Sequence, residues 1–163
     1  MEELVKLLIA KGKNLSTMES CTGGAIANAI TDIPDASKVF NFSAVTYSNE
    51  FKIKMGVDET VIKKHSVYSM EVAMDMAKKI AVYTNSCFGV GVTGKLKKVD
   101  ENNLYGEDDV VFLAVYDHDN SSEFEDIIYG IKIRLKHDTR EENKKQIINE
   151  FTKLMMKILC DEV

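Results

Sequence analysis

The run Phe88-Gly89-Val90-Gly91-Val92 is apolar without interruption. A strand with one wet face alternates apolar and polar residues, whereas one lacking polar positions is covered on both faces. A covered strand needs helices above and below it, so this short run sets the layer count of the domain. The rest of the chain supplies them. Leu4, Leu7, Leu8 and Ile9 recur at helical spacing in Met1–Gly12, with Gly12 as the stop. Leu15–Met18 has the length of a short strand, and a helix of small residues follows over about Gly24–Ile30. Pro34, the single proline, marks a loop. Val39–Tyr47 alternates and is β-branched and aromatic, as strands are. Helical patterns cover Asn49–Met55, Glu59–His65 and Ser69–Tyr83. In the last, Ser69 is the expected N-cap, and Val72, Met76, Ile80 and Val82 are expected on one face. Beyond Val92, Lys95–Gly106 is polar and irregular. Val110–Tyr116 reads as a strand, Asp117–Ser122 as a turn cluster, and Phe124–Leu135 as a long strand paired back onto it. Thr139–Leu159 closes the chain as a long helix. Strands alternate with helices and a hairpin comes late. That order predicts a single domain over residues 1–163, of the α/β class, a three-layer α/β/α domain with a mixed sheet.

A chain of 163 residues can bury a sizeable core without disulfides or a structural metal. Cys21, Cys87 and Cys160 are odd in number and far apart, and no CxxC spacing occurs. Neither a metal site nor a disulfide framework is expected, and a reducing, cytoplasmic setting is the simpler reading. The formal net charge is −5 and the pI about 5.3. Such a chain has no positive field to gather phosphates, so neither nucleic acid nor a membrane surface is an expected partner. A small anionic ligand in a local basic pocket remains compatible. The N-terminus lacks the form of a signal peptide, and no apolar run reaches membrane-spanning length.

The stretch Glu19-Ser20-Cys21-Thr22-Gly23-Gly24 joins a strand to a helix. Such a turn presents a hydroxyl at the edge of the sheet, and its glycines let a ligand approach the backbone closely. The helix start offers free N–H groups to an anion or to an oxyanion. Two readings stand side by side: Ser20 or Thr22 caps the helix, or Ser20 is a nucleophile. A nucleophilic serine needs a base. His65, His118 and His137 lie in no helpful motif. A lysine of depressed pKa can serve instead, and Lys52 follows the strand ending at Tyr47. Gly89–Lys95 also fits a G-x-x-x-x-G-K pattern, but Leu96 stands where a phosphate-binding loop needs Ser or Thr.

Three pieces of the chain resemble the nicotinamide-nucleotide amidase family, the CinA C-terminal-domain type. Met18-Glu19-Ser20-Cys21-Thr22-Gly23-Gly24 is similar to the family's A-E-S-C-T-G-G. Val45-Thr46-Tyr47-Ser48-Asn49-Glu50, with Lys52 two residues on, resembles V-T-Y-S-N-E-x-K. His65-Ser66-Val67-Tyr68-Ser69-Met70-Glu71-Val72 is similar to H-G-A-V-S-x-x-V. The likeness runs over roughly residues 2–94. The resemblance implies hydrolysis of the carboxamide of nicotinamide mononucleotide, a small nucleotide substrate, to nicotinate mononucleotide and ammonia. It implies Ser20 as nucleophile, Lys52 as general base, and Tyr47 as a residue that positions or relays the proton. Amides near Thr22, Gly23 and Gly24, next to Cys21, would hold the oxyanion. Thr93 and Gly94 would border the ligand. The resemblance implies neither metal nor organic cofactor, a place in NAD salvage, and a homodimer.

One stretch departs from the pattern. The family continues past its fourth strand with a loop of the G-I-A-G-P-x-G-G kind. Here Gly91-Val92-Thr93-Gly94 is followed by Lys95-Leu96-Lys97-Lys98-Val99-Asp100. Lys95, Lys97 or Lys98 could supply phosphate contacts from that loop. Arg140, in Thr139-Arg140-Glu141-Glu142-Asn143-Lys144, stands at a helix start where it could hold a phosphate. The altered loop keeps two other readings open: a pyridine-nucleotide binding or regulatory module without efficient turnover, and a hydrolase of another amide or ester.

Overall fold

A computed structural model describes residues 1–98 and 100–163; Val99, in the loop expected to border the ligand, lies outside the described residues. The elements in order are α1 Glu2–Lys11, β1 Leu15–Glu19, α2 Ala25–Thr31, β2 Phe40–Val45, α3 Asn49–Lys54, α4 Glu59–His65, α5 Met70–Thr84, β3 Phe88–Gly94, β4 Val110–Asp117, β5 Ile128–Arg134 and α6 Arg140–Leu159. The strands form one sheet in the order β2-β1-β3-β4-β5. β1 runs parallel to both β2 and β3, while β4 and β5 join antiparallel. The sheet is therefore mixed, and α1, α2 and α6 cover one face while α5 covers the other. This is the three-layer fold that the covered run around Val90 demanded.

β3 is buried along its whole length. Gly89 and Gly91 exist because α5 lies flush on it. A Cβ at Gly89 would stand 2.0 Å from the Ala77 carbonyl oxygen, and one at Gly91 would stand 2.1 Å from that of Ala73. Ala73, Ala77 and Ala81 form the matching small-residue stripe on α5. Val72, Met76 and Ile80 are buried on the same helix, but Val82 is exposed. A step of two residues from Ile80 carries a side chain to the far side of the helix, which corrects the expected face. Ser69 caps α5 as expected, accepting from the Val72 amide at 3.2 Å.

The late hairpin starts later than expected. β5 begins at Ile128 rather than Phe124. Ser121 Oγ accepts the Ile127 amide at 2.8 Å and Ser122 Oγ accepts that of Glu125 at 3.1 Å, so hydroxyls hold residues 122–125 in a turn. The alternating stretch Val39–Tyr47 likewise yields a shorter strand, Phe40–Val45, on the sheet edge. Among the described residues no helix is long and apolar enough to cross a membrane.

Candidate active site

The chain passes from β1 to β2 on one side and later returns to β3 on the other. The carboxyl end of β1 is thus the switch point of the sheet, where α/β folds leave a crevice. Ser20 sits there, one residue past β1. Its amide donates to the Val92 carbonyl at 3.1 Å, and the preceding Glu19 carbonyl accepts the Thr46 amide at 2.8 Å. Main-chain bonds to both neighbouring strands fix the position of the serine.

Neither Ser20 nor Thr22 caps α2. The cap is Glu19, which is fully buried. Its Oε2 accepts the Ile26 amide at 3.1 Å and its Oε1 the Ala27 amide at 2.9 Å. The Thr17 hydroxyl donates to Oε1 at 3.3 Å. The sequence reading missed this role: Glu19 stands seven and eight residues before the two amides it accepts from, and no sequence signal marked it as buried. Gly23 and Gly24 take left-handed backbone (φ 62° and 90°), which returns the chain over the carboxylate. The Gly23 amide is committed to the Ser20 carbonyl at 3.0 Å. Of the amides expected to face an oxyanion, those of Cys21, Thr22 and Gly24 have no protein acceptor among the described residues.

Lys52 projects from α3 and is 2% exposed. Its Nζ lies 2.9 Å from Ser20 Oγ and 2.7 Å from the Thr46 carbonyl oxygen. Among the described residues no carboxylate pairs with it. Burial pulls its ammonium down to about 8, against a small opposing effect of Cys21. The neighbouring Cys21 thiol is pushed up to about 12, chiefly by burial. Cys21 is therefore held as the thiol, while the Ser20 hydroxyl stands beside a deprotonable amine. His65, His118 and His137 do not line the site; His65 meets Glu71 at 3.3 Å and His118 meets the Ser86 carbonyl at 3.0 Å.

A cavity of about 700 Å³ opens over this pair. Ser20, Cys21, Tyr47, Lys52, Gly94 and Arg140 all line it, while Thr22, Gly23, Gly24 and Thr93 do not. Thr93 instead donates to the Val67 carbonyl at 2.8 Å, tying β3 to the segment before α5. Arg140, the first residue of α6, donates to the Tyr47 hydroxyl at 3.3 Å, and no carboxylate pairs with it among the described residues. Tyr47 makes no hydrogen bond to Ser20 or Lys52 among the described residues; its hydroxyl accepts from Arg140. Lys95 and Lys98 also line the cavity, the buried Lys95 pairing with the exposed Asp108 at 2.9 Å. Lys97 lies outside it and faces Asp138 at 3.7 Å.

A family model, the CinA C-terminal domain, matches residues 1–159. The chain belongs to the CinA C-terminal domain family. A protein of Caldanaerobacter subterraneus named for competence-damage induction is 50% identical over 96 residues, 58% of this chain and 23% of that protein. A namesake from Caldicellulosiruptor bescii is 36% identical over 141 residues, 85% of this chain and 34% of its own length. The chain thus spans about a quarter to a third of these relatives. Among solved structures, a CinA superfamily protein of Klebsiella pneumoniae superposes with a TM-score of 0.86 at 22% identity, covering 98% of this chain and 95% of that one. The protein CihA of Agrobacterium tumefaciens gives a TM-score of 0.79 at 26% identity, over 95% and 93% of the two chains. Their fold is the fold described above.

Proposed function

We propose that this CinA domain is an amidohydrolase that converts nicotinamide mononucleotide to nicotinate mononucleotide and ammonia. The observation that carries the reading is the buried Lys52 amine at 2.9 Å from the Ser20 hydroxyl, with no carboxylate to hold it charged. In its neutral form Lys52 keeps an N–H on the Thr46 carbonyl and turns its lone pair to Ser20. It takes the proton as Oγ attacks the amide carbon. The amide of Cys21, unpartnered among the described residues and belonging to a residue that lines the cavity, is the donor available to the tetrahedral oxyanion. The Lys52 ammonium returns its proton to the departing nitrogen, and ammonia leaves. Lys52 then deprotonates the water that cleaves the acyl-enzyme, and the carboxylate product and free Ser20 result. The course draws on no metal or organic cofactor. Arg140, set by Tyr47, is the group that meets the 5′-phosphate.

The test is release of ammonia and nicotinate mononucleotide by purified protein. Ser20→Ala is expected to lower kcat by about a thousandfold or more. Absence of turnover by the wild type ends the reading for this substrate. The divergent stretch after Gly94 supports a second reading, a nucleotide-binding module; tight binding of the same nucleotide without ammonia release selects it. A homodimer belongs to the first reading. The exposed apolar residues Phe42, Val45, Phe51 and Ile53 on β2 and α3 offer it a surface, and the mass in solution tests it.

A further inference from the structure

The loop after β3 brings a carboxylate into the cavity. Asp100 and Tyr68 line it together with Ser20. The Tyr68 hydroxyl donates to Asp100 Oδ2. Asn103 Nδ2 donates to the same oxygen at 2.9 Å, and the Asn102 amide donates to Oδ1 at 3.0 Å. These donors, Tyr68 foremost and Asn103 next, hold the Asp100 carboxyl below its ordinary range. Asn49 Nδ2 reaches Asn103 Oδ1 at 3.4 Å, which links the loop to the helix that carries Lys52. Among the described residues no lysine or arginine pairs with Asp100. The nearby Lys95 ammonium lies over the Tyr68 ring, 5.3 Å from its centroid, and is neutralised by Asp108.

The cavity therefore carries both signs: an unpaired guanidinium at Arg140 and an unpaired carboxylate at Asp100. That pattern fits a dipolar ligand with an anionic end and a cationic end. On the amidase reading, on which this inference rests, the carboxamide carbon sits at Ser20 and its ring is one bond away. Tyr68 and Asp100 line the same cavity as Ser20 and Cys21, where that ring is held. Tyr68 and Asp100 also both fall where the chain departs from the family pattern, Tyr68 in His65-Ser66-Val67-Tyr68-Ser69 and Asp100 in the stretch that replaces the Gly-Pro element. We infer that Asp100, held in place by Tyr68, selects a cationic aromatic ring, a pyridinium carboxamide, over a neutral ring of the same shape.

Calorimetry on Ser20→Ala protein compares nicotinamide mononucleotide with benzamide riboside 5′-phosphate, in which carbon replaces the charged ring nitrogen. The pyridinium is expected to bind about fivefold tighter, the scale of one partly exposed charge pair. Adding Asp100→Asn is expected to bring the two ligands within about twofold by weakening the pyridinium alone, while Asp100→Glu keeps the preference. Equal weakening of both ligands by Asp100→Asn makes Asp100 a loop fastener only and overturns the inference. A preference that survives Asp100→Asn overturns it as well. Turnover of nicotinamide mononucleotide without any ring-charge preference defeats this inference and leaves the amidase reading standing. Binding of neither ligand, with no ammonia released by the wild type, defeats both.

Discussion

Lys52 shows how one side chain trades stability for chemistry. Its amine titrates near 8 in the folded protein and near 10.5 when exposed. At pH 7 only about a tenth of it is neutral, so kcat/KM is expected to rise with pH through about 8 and level off above. The linkage to folding has a definite sign. Between about pH 8 and pH 10.5 the unfolded chain binds more protons than the folded one, so stability rises with pH across that window. Below it the buried ammonium costs the fold on the order of 3 kcal/mol. Lys52→Met is therefore expected to abolish turnover while raising Tm at pH 7, with the gain shrinking as pH climbs towards 10; thermal melts across pH 7–10 measure it. Glu19 works in the opposite direction. Its carboxylate fills the donors of two buried amides. Glu19→Ala leaves those amides unsatisfied and is expected to cost about 2–4 kcal/mol, read from the urea midpoint.

At the scale of elements, α5 on β3 is the tightest joint in the domain. Gly89 and Gly91 of β3 face backbone of α5 at distances no Cβ tolerates. Gly91→Ala is expected to destabilise by about 3 kcal/mol or more, because the helix must lift off the sheet to admit one methyl group; a urea titration checks it. The covered strand was legible beforehand from its apolar, glycine-bearing run, but the alanine stripe it packs on was not read. The order of the other elements was legible for the same kind of reason, from periodicity and from caps such as Ser69. The start of β5 was not, because Ser121 and Ser122 spend their hydroxyls on amides of an otherwise strand-like stretch. The candidate site was legible unevenly. Ser20 alone looked like a helix cap, and only its resemblance-based pairing with Lys52 gave it a partner. Glu19 was hidden because a charged residue gives no sequence sign of being buried. Tyr68 and Asp100 were hidden because they meet only through space, from segments 32 residues apart.

For the whole molecule, the two halves of the cavity are held by different kinds of bond. The floor, Ser20 with Lys52, hangs from the central strands by main-chain bonds and from the buried carboxylate of Glu19. The roof, around Asp100–Asn103, is tied to Asn49 and Tyr68 by side chains. Hydrogen exchange followed by mass spectrometry should separate them. Amides of β1 and β3 are expected to exchange only with global unfolding, and those of residues 100–106 orders of magnitude sooner. The same division governs how such a domain can change over generations. On the amidase reading, substitutions in the roof are expected to alter which molecules are admitted and to leave Ser20 and Lys52 where the sheet puts them. A lineage built this way can drift in selectivity while its chemistry stays inherited.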